Sequence, residues 1–365
     1  MKILMIGGTG TISYDATIYF LKCGHEVYLL NRGNRNTIHH ENLHYIIGDI
    51  NDDTSIQTLD GKSFDVIMDF IIFNRVQLER RMEMYEGKCR QFFFISSATV
   101  YKIQNGIYTE NTPLGNDEWA YSRSKRECEE FLKNNISKYS YEYTIIRPYI
   151  TYDNRRLPFP VVTKKSYYSL LYRIMCDKPV IICGDGNNKL TLTHTKDFAV
   201  ALEGLILNPM AMNEAFHITG DSVTTWNEIL SVISKELGKK CETINIPIAK
   251  LAEYFPSEQD ELLYDKSCDH VFDNRKIKSA VPRFKTTYSV DEGITDTVRN
   301  LLSNVQLQKA DKIWDCTVDA IIERYESENN DVKHKASLKA RVVYWVFQKS
   351  NNRYMKKIFK IIMRQ

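Results

Sequence analysis

The first thirteen residues constrain this chain more than any other stretch. A short apolar run, Lys2–Ile6, leads straight into Gly7-Gly8-Thr9-Gly10-Thr11-Ile12-Ser13, and a helical pattern over about Tyr14–Lys22 follows. A strand that ends in closely spaced glycines and opens a helix presents backbone N–H groups at the helix N-terminus with no side chain in the way. A dinucleotide pyrophosphate needs that close approach, so Gly7, Thr9, Gly10, Thr11 and Ile12 are candidate phosphate contacts. Ser13 stands where a third glycine is usual, and its small side chain still lets helix and strand pack.

The same rhythm continues through the first 150 residues. Strands are expected at Glu26–Leu30, Leu43–Ile47, Asp65–Ile71, Gln91–Ile95 and Glu142–Arg147, with helices at Arg75–Glu86 and Trp119–Lys138. Each strand is apolar almost throughout, which indicates a sheet covered on both faces. The β-α-β alternation implies right-handed crossovers and a doubly wound sheet. Prolines 158 and 160 break the rhythm. Beyond them, Pro179–Cys183 and Ala215–Thr219 read as strands, and Asp197–Leu207 and Thr225–Leu237 as helices. At roughly 150 residues per domain, 365 residues make two domains or one enlarged one.

The end of the second strand bears on the cofactor. An acidic residue there would bind the adenosine ribose hydroxyls and repel a 2′-phosphate. This chain has Asn31-Arg32-Gly33-Asn34-Arg35. The guanidinium groups of Arg32 and Arg35 can pair with a phosphate and stack on adenine; the alternative is a solvated basic turn. The pattern favours NADP(H) and leaves NAD(H) open.

Two further segments suggest chemistry. The strand Phe92–Ile95 ends in Ser96-Ser97-Ala98-Thr99-Val100-Tyr101, and Tyr121-Ser122-Arg123-Ser124-Lys125 opens a helical stretch. Tyr and Lys four apart share a helix face, so the ammonium can sit near the phenol. A free phenol titrates near pH ~10, and lowering it by about three units takes roughly 4 kcal/mol of phenolate stabilisation. A surface ion-dipole pair is the alternative for Tyr121 and Lys125 taken alone.

Together these residues resemble the extended short-chain dehydrogenase/reductases of the NAD-dependent epimerase/dehydratase family over about residues 1–300. The resemblance rests on the glycine loop, Gly48-Asp49-Ile50, the Ser-Ser-Ala-Thr-Val-Tyr segment, Tyr121 and Lys125, Arg147-Pro148, and Gly184-Asp185-Gly186 leading to Thr193-His194 and Asp197. It implies a Rossmann-type doubly wound parallel sheet with a smaller α/β substrate domain; the helical, basic C-terminal tail is expected from the sequence itself and lies beyond the resemblance. The expected division is 1–155 with about 192–222 for the dinucleotide, 156–191 with 223–305 for the substrate, and 306–365 as a helical extension. By resemblance, Ser97 binds the substrate, Tyr121 is the acid/base, and Lys125 tunes Tyr121 and holds the nicotinamide ribose. Asp49 and Ile50 would contact the adenine end, with Phe70 and Pro148 also on the cofactor. Thr99, Tyr152, Arg155, Lys189 and His194 are candidate substrate contacts, and no metal site is expected.

Departures narrow the implied activity. The dehydratase branch carries an Asp-Glu pair after the position of Ser97; here Ala98 and Thr99 stand there, and the segment looks most like the 4-epimerases. The arginine that usually grips the substrate diphosphate is replaced by Leu190, with Lys189 beside it. The opening Gly-Gly-Thr-Gly-Thr-Ile-Ser, Asn-Arg-Gly and Asp69-Phe70 resemble a branch close to the chloroplast stem-loop RNA-binding proteins. The leading expectation is a nucleotide-sugar epimerase or ketoreductase working through a keto intermediate, with a small-molecule sugar as its substrate and a homodimer as its assembly; the alternative is a non-catalytic nucleic-acid binder.

Composition separates these classes. Net charge is +3, but residues 331–365 hold ten Lys/Arg and one Asp, a net +9, which leaves −6 for residues 1–330. An acidic body argues against general polyanion binding, and the leading expectation includes no nucleic acid. Eight scattered cysteines without a C-x-x-C pair fit reduced thiols packed as small apolar residues. The opening lacks a signal-peptide pattern and no apolar run reaches the roughly 20 residues that span a bilayer. The expected location is the cytoplasm. The tail mixes Trp345, Phe347, Phe359 and Ile362 with lysines, which suits either packing on the protein's own body or weak contact with a membrane face or a protein.

Overall fold

Strands β1 (Lys2–Ile6), β2 (Glu26–Asn31), β3 (Leu43–Ile47), β4 (Val66–Asp69), β5 (Gln91–Ile95), β6 (Glu142–Pro148) and β7 (Glu214–Ile218) form one parallel sheet in the order β7-β6-β5-β4-β1-β2-β3. This computed structural model describes residues 1–34, 37–52, 57–350 and 352–363, without the side chains of Ile358 and Ile362. Register is continuous across the centre: Ile3 faces Val27 on one side and Val66 on the other. The chain reverses direction of winding between β1 and β4, and in open α/β sheets such a switch point opens a crevice at the carboxyl ends of the strands.

Alternation along the strands sorts the core into two layers. Ile3, Met5, Val27, Leu29, Phe93 and Ile95 pack on one face with α1 (Thr11–Lys22) and the helix Thr195–Gly204. Leu4, Ile6, Ile67, Phe92 and Phe94 pack on the other with α2 (Arg75–Tyr85) and α3 (Ala120–Asn135). Both faces of the sheet are covered by buried apolar side chains, which explains why the strands read as apolar on both faces. β4 ends at Asp69, two residues short of the expected Ile71. The Asp69 carboxylate accepts from the Ile71 N–H at 2.9 Å and turns the chain out of the sheet.

Contacts divide the chain into two units. The first joins Met1–Asp153 to Leu190–Val223 and His270–Ser289; the second joins Asn154–Lys189 to Thr224–Asp269 and Val290–Gln365. Residues 270–289 fall with the sheet because Asn274 bonds the Thr219 carbonyl at 2.9 Å and Asp197 accepts from Thr287 and Tyr288 at 2.9 and 3.2 Å. Within the second unit, Val180–Cys183 pairs in parallel with Thr243–Ile246. The buried Arg173 holds Asp315 and Asp319, both at 2.7 Å, which fixes the helix Lys312–Glu328 within that unit. Residues 306–365 therefore belong to the second unit's fold. All eight cysteines are free; Cys89, Cys128 and Cys183 are packed inside, whereas Cys23 and Cys176 lie at the surface. No helix among the described residues is long and apolar enough to cross a membrane.

Candidate active site

The loop between β1 and α1 is built for close backbone approach. Gly7 has φ +79°, and a Cβ on it would lie 2.9 Å from Ile71 Cγ2. A Cβ on Gly8 would lie 2.4 Å from Leu29 Cδ2. Ser13 closes the turn: its hydroxyl donates to the Gly7 carbonyl at 2.7 Å and accepts from the Gly10 N–H at 2.9 Å. Thr17 donates to the Gly8 carbonyl at 2.8 Å. The serine in the third-glycine position thus fastens the loop to the helix that follows.

A cleft of about 580 Å³ opens beside this loop, lined by Gly7, Thr9, Asn31, Arg32, Asp49 and Ile50 among others. Asn31 accepts from the Gly33 N–H at 2.8 Å, while its Nδ2 is buried with no hydrogen-bond partner among the described residues. An orphaned buried donor is costly unless a ligand oxygen satisfies it. The glycine cradle, the orphan amide and the neighbouring guanidinium of Arg32 fit a nicotinamide dinucleotide. Gly10, Thr11 and Ile12 form the cap and first turn of α1. Arg35 lies outside the described residues.

Several cleft residues escaped the sequence. Asn34, Asn51, Ile71, Phe73 and Gln77 line it, whereas Phe70 is half-buried against the α1-side core. Behind the cleft, Arg81 is fully buried and donates to the Ile50 carbonyl at 2.7 Å and to Asn51 Oδ1 at 3.1 Å, while its Nε meets Asp69 at 3.2 Å. Tyr85 donates to the same Asp69 carboxylate at 2.7 Å. Arg81 thereby holds the Asp49–Asn51 turn. The available signal was its position in the stripe of Leu78, Met82 and Tyr85, where a charge is out of place unless it is paired.

The end of β5 and the start of α3 meet next to the loop after β4. Lys125 is 2% exposed, and its Nζ donates to the carbonyls of Ile72 at 2.5 Å and Ile95 at 2.8 Å. It lies 5.9 Å from the Tyr121 ring centroid and 5.1 Å from that of Phe73. Burial brings its ammonium down from the usual lysine range to about 8. Tyr121 is 37% exposed. Ser97 and Thr99 are buried and share a hydrogen bond of 2.9 Å, and Ser122 donates to the Thr99 carbonyl at 2.9 Å. One helix end thus carries an accessible phenol, a sheltered ammonium beneath it, and a tie to the serine-threonine turn.

A buried polar network holds that helix. Arg147 on β6 makes a two-pronged pair with Glu129 of α3 at 2.9 and 2.6 Å and donates to the Tyr101 hydroxyl at 3.0 Å. Tyr101 meets His217 Nδ1 at 3.1 Å, and His217 Nε2 meets the Asp273 carbonyl at 2.8 Å. Pro148 ends β6 opposite Ile218. Tyr152 and His194 are brought together, both buried, with ring centroids 5.2 Å apart. His194 caps the helix Thr195–Gly204 by accepting from the Lys196 N–H and stacks on Tyr288 with ring centroids 3.8 Å apart. Arg155 and Lys189 are exposed residues of the second unit.

Comparisons with known proteins agree with this architecture. A family model described as the NAD dependent epimerase/dehydratase family matches residues 3–218. The chain is 24% identical over 313 residues to a chloroplast stem-loop binding protein of 41 kDa from Arabidopsis thaliana, covering 81% of this chain and 78% of that one. An epimerase structure from Methanothermobacter thermautotrophicus superposes with a TM-score of 0.70 at 17% identity, covering 84% of this chain and 94% of that chain. The NAD complex of a UDP-glucuronic acid 4-epimerase from Bacillus cereus does so at 0.67 and 19%, covering 85% and 100%. At such identities the structures speak for the fold. With the family match spanning more than half its length, the chain belongs to the NAD-dependent epimerase/dehydratase family, as an enzyme of the extended short-chain dehydrogenase/reductase type.

Proposed function

We propose that this chain is a nucleotide-sugar epimerase that oxidises a sugar hydroxyl to a ketone and reduces it from the other face. The observation that carries the proposal is the accessible Tyr121 phenol above the sheltered Lys125 ammonium, beside the Ser97–Thr99 turn. Tyr121 takes the hydroxyl proton and later returns it; the buried Lys125 favours the phenolate by its charge. Ser97 positions the sugar oxygen. A nicotinamide dinucleotide bound in the cleft supplies the hydride acceptor and donor.

Ala98 and Thr99 bring no carboxyl group to the place where an elimination would need one, which favours epimerisation over dehydration. The solved Bacillus cereus epimerase is known with UDP-glucuronic acid and NAD together, and the same classes of ligand are proposed here. NADP(H) is favoured over NAD(H) on Asn31 and Arg32. The test is a panel of UDP- and dTDP-hexoses with no added cofactor, followed by product stereochemistry. Inverted configuration at one carbon supports the proposal. Turnover only with stoichiometric NAD(P)H would replace it with a ketoreductase, and dinucleotide binding without any turnover would remove it.

A further inference from the structure

We propose that the C-terminal helix Arg353–Ile362, with the preceding Trp345, docks the protein on an anionic membrane surface and lies in the interfacial plane. The C-terminal segment has two halves of different character. Helix Leu338–Tyr344 is fastened to its own unit: Ala340 and Val343 are buried, and Arg341 pairs with Glu323 at 2.7 and 2.5 Å. Lys349 donates to the Glu253 carbonyl at 3.2 Å. Beyond it, Asn352 caps a new helix by accepting from the Tyr354 and Met355 N–H groups at 3.0 and 3.1 Å.

In that helix, Arg353, Lys356, Lys357 and Lys360 fall on one side at 100° per residue, with Tyr354 and Ile361 flanking them. Among the described residues none of the four cations is in an ion pair, unlike Arg341. Tyr354 is 79% exposed, Ile361 58% and Trp345 53%. Large apolar groups left in water beside unpaired cations match the interface of a bilayer, where aromatic rings settle among headgroups and lysines face phosphates.

Charge and shape choose the occupant. A helix with four cations and no acid repels a second copy of itself and attracts an anionic leaflet. Ten helical residues span about 15 Å, too short to cross a bilayer and long enough to lie on one. RNA would engage the lysines and stack on Tyr354 or Trp345, but it would leave the aliphatic Ile361 in water, whereas a bilayer interface takes up all three.

The test is flotation of the full-length protein with vesicles of equal parts phosphatidylcholine and phosphatidylserine, against vesicles of phosphatidylcholine alone. Binding is expected only to the anionic vesicles and should fall as salt is raised. Each Lys or Arg near such a surface is worth about fivefold in partitioning, so reversing Lys356, Lys357 and Lys360 to glutamate should lower it about 100-fold or more, with unchanged melting temperature. The variant Tyr354→Ser with Ile361→Ser should weaken binding while keeping the charge. No flotation of the intact protein on anionic vesicles overturns the proposal, as does equal binding to neutral ones. Retention of a single-stranded RNA by the same lysines without vesicle binding would assign the surface to nucleic acid instead. None of these readouts involves turnover, so the proposed epimerase activity stands or falls separately.

Discussion

Cations are used in opposite ways by the sheet unit and by the C-terminal segment. In the sheet unit, Arg81, Lys125 and Arg147 are almost wholly buried, and each is committed to named acceptors: Asp69 and the Ile50 carbonyl, the carbonyls of Ile72 and Ile95, and Glu129. In the last helix, Arg353, Lys357 and Lys360 face water. A buried cation fixes geometry and shifts the chemistry of its neighbours; an exposed one remains available to a ligand. The same residue type is therefore buried and paired in the sheet unit and exposed in the last helix.

The largest effect is expected at Arg147. Replacing it with methionine leaves the Glu129 carboxylate buried without its partner, and a loss of about 3–5 kcal/mol is expected in denaturant unfolding. Lys357→Gln in the exposed helix should stay within about 0.5 kcal/mol. Similar losses for both would show that burial of the Arg147 pair does not matter.

Next comes His217, which lies between Tyr101 and the Asp273 carbonyl. Burial lowers its pKa from near 6.5 to about 4. The unfolded chain then binds the proton first as pH falls, so stability from the neutral ring is present above about pH 6.5 and declines toward pH 4. Over that window the expected change is about 3 kcal/mol, and His217→Gln should flatten the pH dependence of unfolding. An unchanged slope in that variant would place the acid sensitivity elsewhere.

A smaller effect is expected at the cofactor cleft. Arg32→Ala should weaken NADP(H) by about tenfold or more through the loss of a charge-assisted phosphate contact, with little change for NAD(H). Equal losses for both, read by titration calorimetry, would end the preference for NADP(H).

How much of this was legible in the sequence depends on range. The glycine loop, the sheet strands and the Tyr121–Lys125 spacing are local patterns, and they lie where local patterns put them. The place of Arg81 in an apolar stripe was legible but its partners were not, because Asp69, Ile50 and Asn51 come from other elements and only the fold brings them together. His194 stood out in the sequence by its place after a Gly-Asp-Gly loop, but the capping bond of its Nδ1 to the Lys196 N–H was legible only in the fold. The end of β4 was overestimated because Ile71 continues the apolar run, while the Asp69 side chain has already captured its N–H.

The decisive variant for proton transfer is Tyr121→Phe, assayed for kcat on the sugar that the panel identifies and for dinucleotide affinity in the same preparation. Removing the phenolic oxygen leaves the ring and the Lys125 hydrogen bonds in place, so the dinucleotide should bind within about twofold of wild type while kcat falls by about 10²–10⁴. A variant that keeps most of its turnover would contradict the assignment of Tyr121 as the proton carrier.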